Sequence, residues 1–115
     1  MTIGHENELE GKPFESVEAK DVTLKALISP EEGWEDYVMR VIEIDAGGHS
    51  PRHAHDWPHI NYVIEGRGKL HINGTDSAVT AGSYAFVPPG SLHQYINDGE
   101  GKFRFICIVP KEGHQ

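Results

Sequence analysis

The chain has 115 residues, enough for one hydrophobic core and too few for two domains. Its 18 acidic and 10 basic residues give a formal charge of −8, so the surface repels polyanions, and we expect neither a nucleic acid nor a membrane as a partner. No apolar stretch approaches the ~20 residues that cross a bilayer, the opening MTIGHENELE is unlike a secretory signal, and the single Cys107 cannot form an internal disulfide; these features predict a cytoplasmic protein.

Glycine and proline divide the chain at short intervals, and the segments between them are rich in β-branched and aromatic residues. This pattern favours strands over helices and predicts an all-β protein. Residues 1–22 are polar with little periodicity, which predicts an N-terminal arm or an edge strand, and residues 23–115 are expected to form a single barrel domain. The predicted strands cover residues 23–29, 36–45, 60–65, 69–72, 75–80, 83–87, 93–97 and 103–109.

Turn residues support the strand prediction. Asn73-Gly74 is typical of a two-residue type I′ turn, because both central residues of that turn need a positive φ, so residues 69–80 are expected to form one hairpin. Gly47-Gly48 and Pro88-Pro89-Gly90 are expected breaks between strands. Strands joined by such short turns indicate a closed barrel or a jelly roll.

Histidine is concentrated in one place, with three of the eight residues between His53 and His59. On an extended chain, His53 and His55 point to the same face. His59 follows Trp57-Pro58, where a bend would return a third imidazole toward the first two. His93 lies at the start of a later predicted strand, and it completes the set if that strand lines the same barrel.

Two segments around these histidines match a known pair of motifs. The first reads Gly47, five residues, His53-Ala54-His55, three residues, His59, six residues, Gly66. The second reads Gly82, five residues, Pro88-Pro89-Gly90, two residues, His93, three residues, Asn97. These motifs resemble those of the cupin superfamily, particularly its small single-domain bacterial members. The resemblance implies a double-stranded β-helix, which is a jelly-roll-like barrel, with metal held by the motif histidines, and commonly a homodimer.

The predicted metal ligands are therefore His53, His55, His59 and His93. His59 stands where the commonest cupin motif has glutamate, so the chain resembles the four-histidine variant, whose neutral imidazoles leave the metal charge uncompensated. Imidazole binds several divalent transition metals. We expect one ion per chain, Mn or Fe first, with Zn, Ni and Cu left open.

The first functional hypothesis is a metal-dependent oxidoreductase, dioxygenase-like, that acts on a small organic substrate with Mn or Fe. A non-redox enzyme of the sugar or keto-acid isomerase type is the second hypothesis, and a module that binds a small ligand or metal without turnover is the third. A metal inside an apolar barrel favours small-molecule chemistry. The choice of reaction by fold alone is an analogy, since one fold hosts many chemistries.

Three further residues are candidates for the pocket. Tyr95 shares the strand face of His93, Cys107 lies in an apolar strand where it either packs in the core or points to the metal, and Trp57 either roofs the pocket or fills a dimer interface. Arg52 and Arg67 are interpreted as surface charges. The remaining histidines are expected to be solvated: His5, His49, His71 and His114.

Overall fold

The computed structural model describes residues 1–114 and consists almost entirely of strands. The only helical segments in this range are three single 3₁₀ turns, at Glu6–Glu8, Pro30–Glu32 and Lys111–Gly113. The all-β prediction is confirmed, and each predicted strand has a counterpart. The strands are β1 Lys12–Pro13, β2 Lys20–Ile28, β3 Tyr37–His49, β4 His59–Glu65, β5 Arg67–Ile72, β6 Thr75–Thr80, β7 Tyr84–Val87, β8 His93–Ile96 and β9 Phe103–Pro110.

Strand β3 is the middle strand in the order of the sheet. It pairs antiparallel with β2 and β9, and β9 continues through β4 to β7. In the other direction, β3 pairs at its far end with β8, where His49 pairs with Ile96, and β8 continues through β5 to β6. This arrangement makes a nearly closed antiparallel barrel and brings the end of β3 next to the start of β8.

The chain departs from the sequence-based expectation at Gly47-Gly48, which lies inside β3 and not between strands. A Cβ at Gly48 would lie 2.5 Å from the carbonyl oxygen of Lys20, so this glycine permits the close approach of β2. Strand β1 lies within residues 1–22, where an arm or an edge strand was expected, and it pairs only with β2, through Lys12 and Leu24. The division of the chain at residue 22 remains a prediction, and β2 begins at Lys20.

The predicted hairpin is formed by β5 and β6. Ile72 pairs with Thr75, and Asn73 and Gly74 have φ values of 46° and 88°, as a type I′ turn requires. Leu92 donates its backbone N–H to Oδ1 of Asn73 at 2.8 Å, and Asn73 donates its own to the Leu92 carbonyl at 2.8 Å. The hairpin is thereby tied to the segment that leads into β8.

The core lies inside the barrel, and the residues of β9 alternate between facing it and facing outward. Phe103, Phe105, Cys107 and Val109 all point inward and are at most 1% exposed. Burial of these side chains supplies the main stabilisation of the barrel. Within residues 1–114, no helix is long and apolar enough to cross a membrane.

Candidate metal centre

The part of the first motif that contains His53 and His55 follows the end of β3 and lies outside any regular strand. His53 is held there by an isolated antiparallel bridge to His93. The His53 N–H donates to the His93 carbonyl at 3.1 Å, and the His93 N–H donates to the His53 carbonyl at 2.9 Å. Two residues 40 positions apart in the sequence are therefore fixed side by side by their backbones.

The four predicted ligands come together at one end of the barrel. The Nε2 atoms of His53 and His55 are 2.9 Å apart, and these two residues and His93 each offer a ring nitrogen within 4.8 Å of the others. The ring centroid of His59 is 4.7 Å from that of His93 and 5.5 Å from that of His55. The geometry thus places four imidazoles in one cluster, although the tightest grouping contains three.

Hydrogen bonds orient two of these rings. The His93 Nδ1 lies 3.0 Å from the Ser91 carbonyl, which can only accept, so Nδ1 carries the proton and Nε2 keeps its lone pair. The His59 Nδ1 lies 3.5 Å from Sγ of Cys107. With the proton on Nδ1 as donor to sulfur, the His59 Nε2 lone pair is free. That Nε2 atom is buried and has no hydrogen-bond partner.

An orphaned imidazole nitrogen within a histidine cluster fits a divalent transition metal. Neutral nitrogen ligands suit Mn, Fe, Ni, Cu and Zn, and a hydrogen bond from the second ring nitrogen is the usual support for a metal-binding histidine. The residues present are consistent with a resident metal.

The pKa values of the cluster favour neutral, ligand-ready rings. Burial, with the charge of His93 next, lowers the pKa of His59 to about 3. Burial and then the charge of His53 lower the pKa of His55 to about 4. The pKa values of His53 and His93 are lowered too, first by burial. At neutral pH these rings need lose no proton to accept a metal.

The histidines line a cavity of about 210 Å³. Trp57 covers one side, with its ring stacked on His55 at 4.6 Å between centroids and 9° between planes. The C-terminal 3₁₀ turn closes over Trp57, since a Cβ at Gly113 would lie 2.5 Å from Trp57 Nε1. Trp57 thus lines this pocket, as the roof interpretation expects.

Tyr95 lines the same cavity from β8 and is 6% exposed. Its hydroxyl donates to Oδ1 of Asn61 at 2.7 Å, and its ring stacks on Phe105 at 4.5 Å. Burial raises the pKa of Tyr95 well above its usual range. The phenol therefore stays protonated and bonded to Asn61, which suits a role in packing and positioning.

Cys107 is both a core residue and a cavity residue, so the two interpretations of this thiol are compatible. It is fully buried, lines the cavity, and contacts the His59 ring through sulfur. The same sulfur accepts a hydrogen bond from Nη2 of Arg40 at 3.3 Å. A thiol sulfur in this position orients one imidazole and one guanidinium.

Arg40 is the cavity residue that sequence reasoning missed. It lies on the inward face of β3 between Val38 and Ile42, is 5% exposed, and lines the cavity. The sequence contained a signal for Arg40, because a charged residue stands there at a position of the strand where its neighbours on the same face, Val38 and Ile42, are apolar. Arg52 and Arg67, which were considered instead, are exposed.

The other histidines lie outside the cluster, but not all are solvated. His5 is exposed, whereas His49 is half-buried at the end of β3 and His114 is half-buried. His71 is 6% exposed, and its Nδ1 lies 2.7 Å from Oδ1 of Asp76. The expectation for His71 was wrong, because the ring closes the β5–β6 hairpin and accepts the Gly74 N–H at 3.2 Å.

The fold and the motif positions agree with one protein family. A family model described as the cupin domain matches residues 40–109. The chain belongs to the cupin family. Among solved structures, the polyketide cyclase RemF from Streptomyces resistomycificus has a TM-score of 0.91 and 27% identity, covering 96% of this cupin and 80% of that chain.

Two curated relatives match shorter parts of the chain. A 1-methylthio-D-xylulose 5-phosphate methylsulfurylase from Rhodospirillum rubrum is 30% identical over 74 residues, which are 64% of this cupin and 47% of that protein. An oxalate-binding protein from Thermotoga maritima is 32% identical over 50 residues, 44% of this cupin and 41% of that protein. The matched regions thus span less than half the length of either relative.

Proposed function

We propose that this cupin is a metal-dependent enzyme for a small organic substrate, with His53, His55, His59 and His93 as the metal ligands. The observation that carries the proposal is the buried Nε2 of His59, which has no hydrogen-bond partner although the ring lies among three other imidazoles. A buried polar atom without a partner is costly. A metal ion bound by the cluster removes that cost.

The reaction that we propose is non-redox chemistry at a carbonyl or hydroxyl group. A divalent ion held by the cluster supplies a Lewis acid that polarises the substrate oxygen. Trp57 and the C-terminal turn limit the access of water, and Arg40 adds a fixed positive charge on the cavity wall. Glu112 also lines the cavity and is the carboxylate that can take up a substrate proton.

Likeness to other cupins supports this choice. RemF is called a polyketide cyclase and is 27% identical across nearly the whole of this chain. A polyketide carries carbonyl groups, so this likeness supports chemistry at a carbonyl group. The cavity of about 210 Å³ is small, so we propose a small organic substrate for this cupin.

A metal-dependent oxidoreductase, dioxygenase-like with Mn or Fe, is the second candidate. The all-imidazole donor set favours it, because such a set also suits redox-active ions. The Cys107 thiol weighs against it, since sulfur 3.5 Å from a ligand ring is within reach of any oxidant generated there. Binding without turnover is the third possibility, and one relative is called an oxalate-binding protein.

The homodimer that the resemblance implies is part of the proposal. The outer face of β4 and β7 carries two cross-strand apolar pairs, Ile60 with Phe86 and Tyr62 with Tyr84. All four side chains are at least 49% exposed, and Tyr84 is 84% exposed. A second copy of the chain would bury this strip. The cytoplasmic location remains a prediction.

Metal content tests the ligand assignment. Protein purified without added metal is expected to carry about one transition-metal ion per chain by elemental analysis, and His53→Ala or His93→Ala is expected to lose it. His5→Ala, at an exposed histidine outside the cluster, is the matched control. Equal metal content in the cluster variants and the control would contradict the assignment.

Proton exchange tests the reaction class. Metal-loaded protein is expected to accelerate the exchange of pyruvate methyl protons with D₂O under argon, measured by ¹H NMR, because carbonyl polarisation acidifies those protons. His93→Ala is the comparison. Absence of exchange together with substrate-dependent oxygen uptake in air would favour the oxidoreductase instead.

A further inference from the structure

Three buried side-chain nitrogens have no hydrogen-bond partner within residues 1–114, and all three belong to residues that line the metal cavity. One is the His59 Nε2, which the metal accounts for. The Trp57 Nε1 lies against Gly113 under the C-terminal turn. The third, Nε of Arg40, carries a proton at all relevant pH values and can only donate. A donor of this kind needs an acceptor that the metal does not provide.

The surroundings of Arg40 offer no anionic partner. Its one side-chain hydrogen bond within the described chain goes from Nη2 to the Cys107 sulfur, which is a weak acceptor. None of the ion pairs formed among residues 1–114 includes Arg40. Glu112 lines the same cavity without pairing with it. Arg40, a residue that is only 5% exposed, therefore has no ion-pair partner within the described residues.

The electrostatics of the cavity favour an anion. A buried unpaired charge is strongly destabilising. Four neutral imidazoles do not offset the charge of a divalent metal, so metal binding makes the cavity more positive. The acidic residues whose charges act most on the cluster, Glu18 near His53 and Asp56 near His55, are exposed. The protein as a whole is acidic, at −8, and Glu112 lines this cavity, but Glu112 is exposed whereas Arg40 is buried. The buried charge of the cavity is therefore positive.

We propose that Arg40 binds the carboxylate of a small organic acid inside the barrel and directs the rest of that molecule toward the histidine cluster. The position of Arg40 supports this role, because Sγ of Cys107 lies 3.3 Å from Arg40 Nη2 and 3.5 Å from the His59 ring. A guanidinium and a carboxylate form charge-assisted, often bidentate hydrogen bonds. Direction toward a metal rests on the proposed function, whereas binding of the carboxylate does not.

Cavity size favours a short acid. The cavity of about 210 Å³ is small, so the ligand that we propose is a C2 to C4 mono- or dicarboxylic acid. Trp57 and Gly113 line the same cavity, and we expect them to hinder the binding of longer acids.

The test compares malonate with its uncharged analogue malonamide by isothermal titration calorimetry, on metal-free and on metal-loaded protein. Malonate is expected to bind both forms and malonamide neither. Arg40→Met is expected to weaken malonate binding about ten- to a hundredfold, because the variant loses one charge-assisted contact to the carboxylate. Arg52→Met, at an exposed arginine, is the matched control, and Arg40→Lys is expected to fall between wild type and Arg40→Met.

Stability and metal content separate this proposal from its alternatives. Metal-free Arg40→Met is expected to unfold at a temperature no lower than wild type, because the substitution removes an unpaired buried charge. Arg40→Met purified without removal of its metal is expected to carry as much metal as wild type. Loss of malonate binding in this metal-containing variant would therefore be due to the missing guanidinium and not to a missing metal. No malonate binding to wild type, equal binding by Arg40→Met, or equal binding of malonamide would overturn the proposal.

Discussion

The pH dependence of stability offers a direct test of the buried, neutral His59. The folded protein holds the pKa of His59 at about 3, against 6.5 for a free imidazole. Since the folded pKa is the lower one, the unfolded chain binds more protons below pH 6.5, and stability falls as the pH drops from 6.5 toward 3. Above pH 6.5 this contribution is fully present.

The expected magnitude follows from the two pKa values. For a single group with those values, linkage gives a loss of about 2.5 kcal/mol in the free energy of unfolding between pH 7 and pH 4.5. The loss is large compared with the ~5–15 kcal/mol that stabilises a typical domain. His59→Gln removes the titrating group, so its stability is expected to fall by about 2.5 kcal/mol less than that of wild type over this interval.

The assay is urea unfolding of metal-free protein at both pH values, followed by circular dichroism. His5→Gln is the control, because His5 is exposed and lies outside the cavity. Other histidines of the cluster also have lowered pKa values, so His59→Gln is still expected to lose stability on acidification. The test is therefore whether it loses less stability than wild type. If wild type and His59→Gln lose the same stability on acidification, the reasoning about His59 burial is refuted.

Two more substitutions test the support of the site and of the fold. Cys107→Ala removes the acceptor that holds the His59 ring, and it is expected to weaken metal affinity about tenfold in titrations against a chelator. Cys107→Ser retains an acceptor and is the control. Equal metal affinities of Cys107→Ala and Cys107→Ser would contradict the positioning role. Gly66→Ala is expected to lower stability by more than about 2 kcal/mol in thermal and urea unfolding, since Gly66 has a φ of 77° and its new Cβ would overlap the Lys102 carbonyl. Gly74→Ala is the matched control, with a φ of 88° and open space around the Cβ, and equal losses at the two glycines would rule out the steric explanation.

Much of the fold could be predicted because its signals are local. A nearly continuous run of apolar residues marks β9, and the φ requirement of a type I′ turn marks Asn73-Gly74, so neither signal depends on distant contacts. The motif spacing also indicated which four of the eight histidines are candidate metal ligands. Gly47-Gly48 misled the prediction, because glycine serves both to turn a chain and to admit a neighbouring backbone, and only the pairing with β2 distinguishes these uses.

The sequence by itself determined the strand pattern and the four histidines worth testing. Only the tertiary structure decided which other side chains surround them, because those neighbours lie on strands that meet when the barrel closes. Arg40 and Cys107 are 67 residues apart and touch inside the cavity. Whether a charged side chain on a strand is buried depends on which face of the sheet the barrel encloses. The closed barrel encloses the face of β3 that carries Arg40, so the Arg40 side chain lies inside.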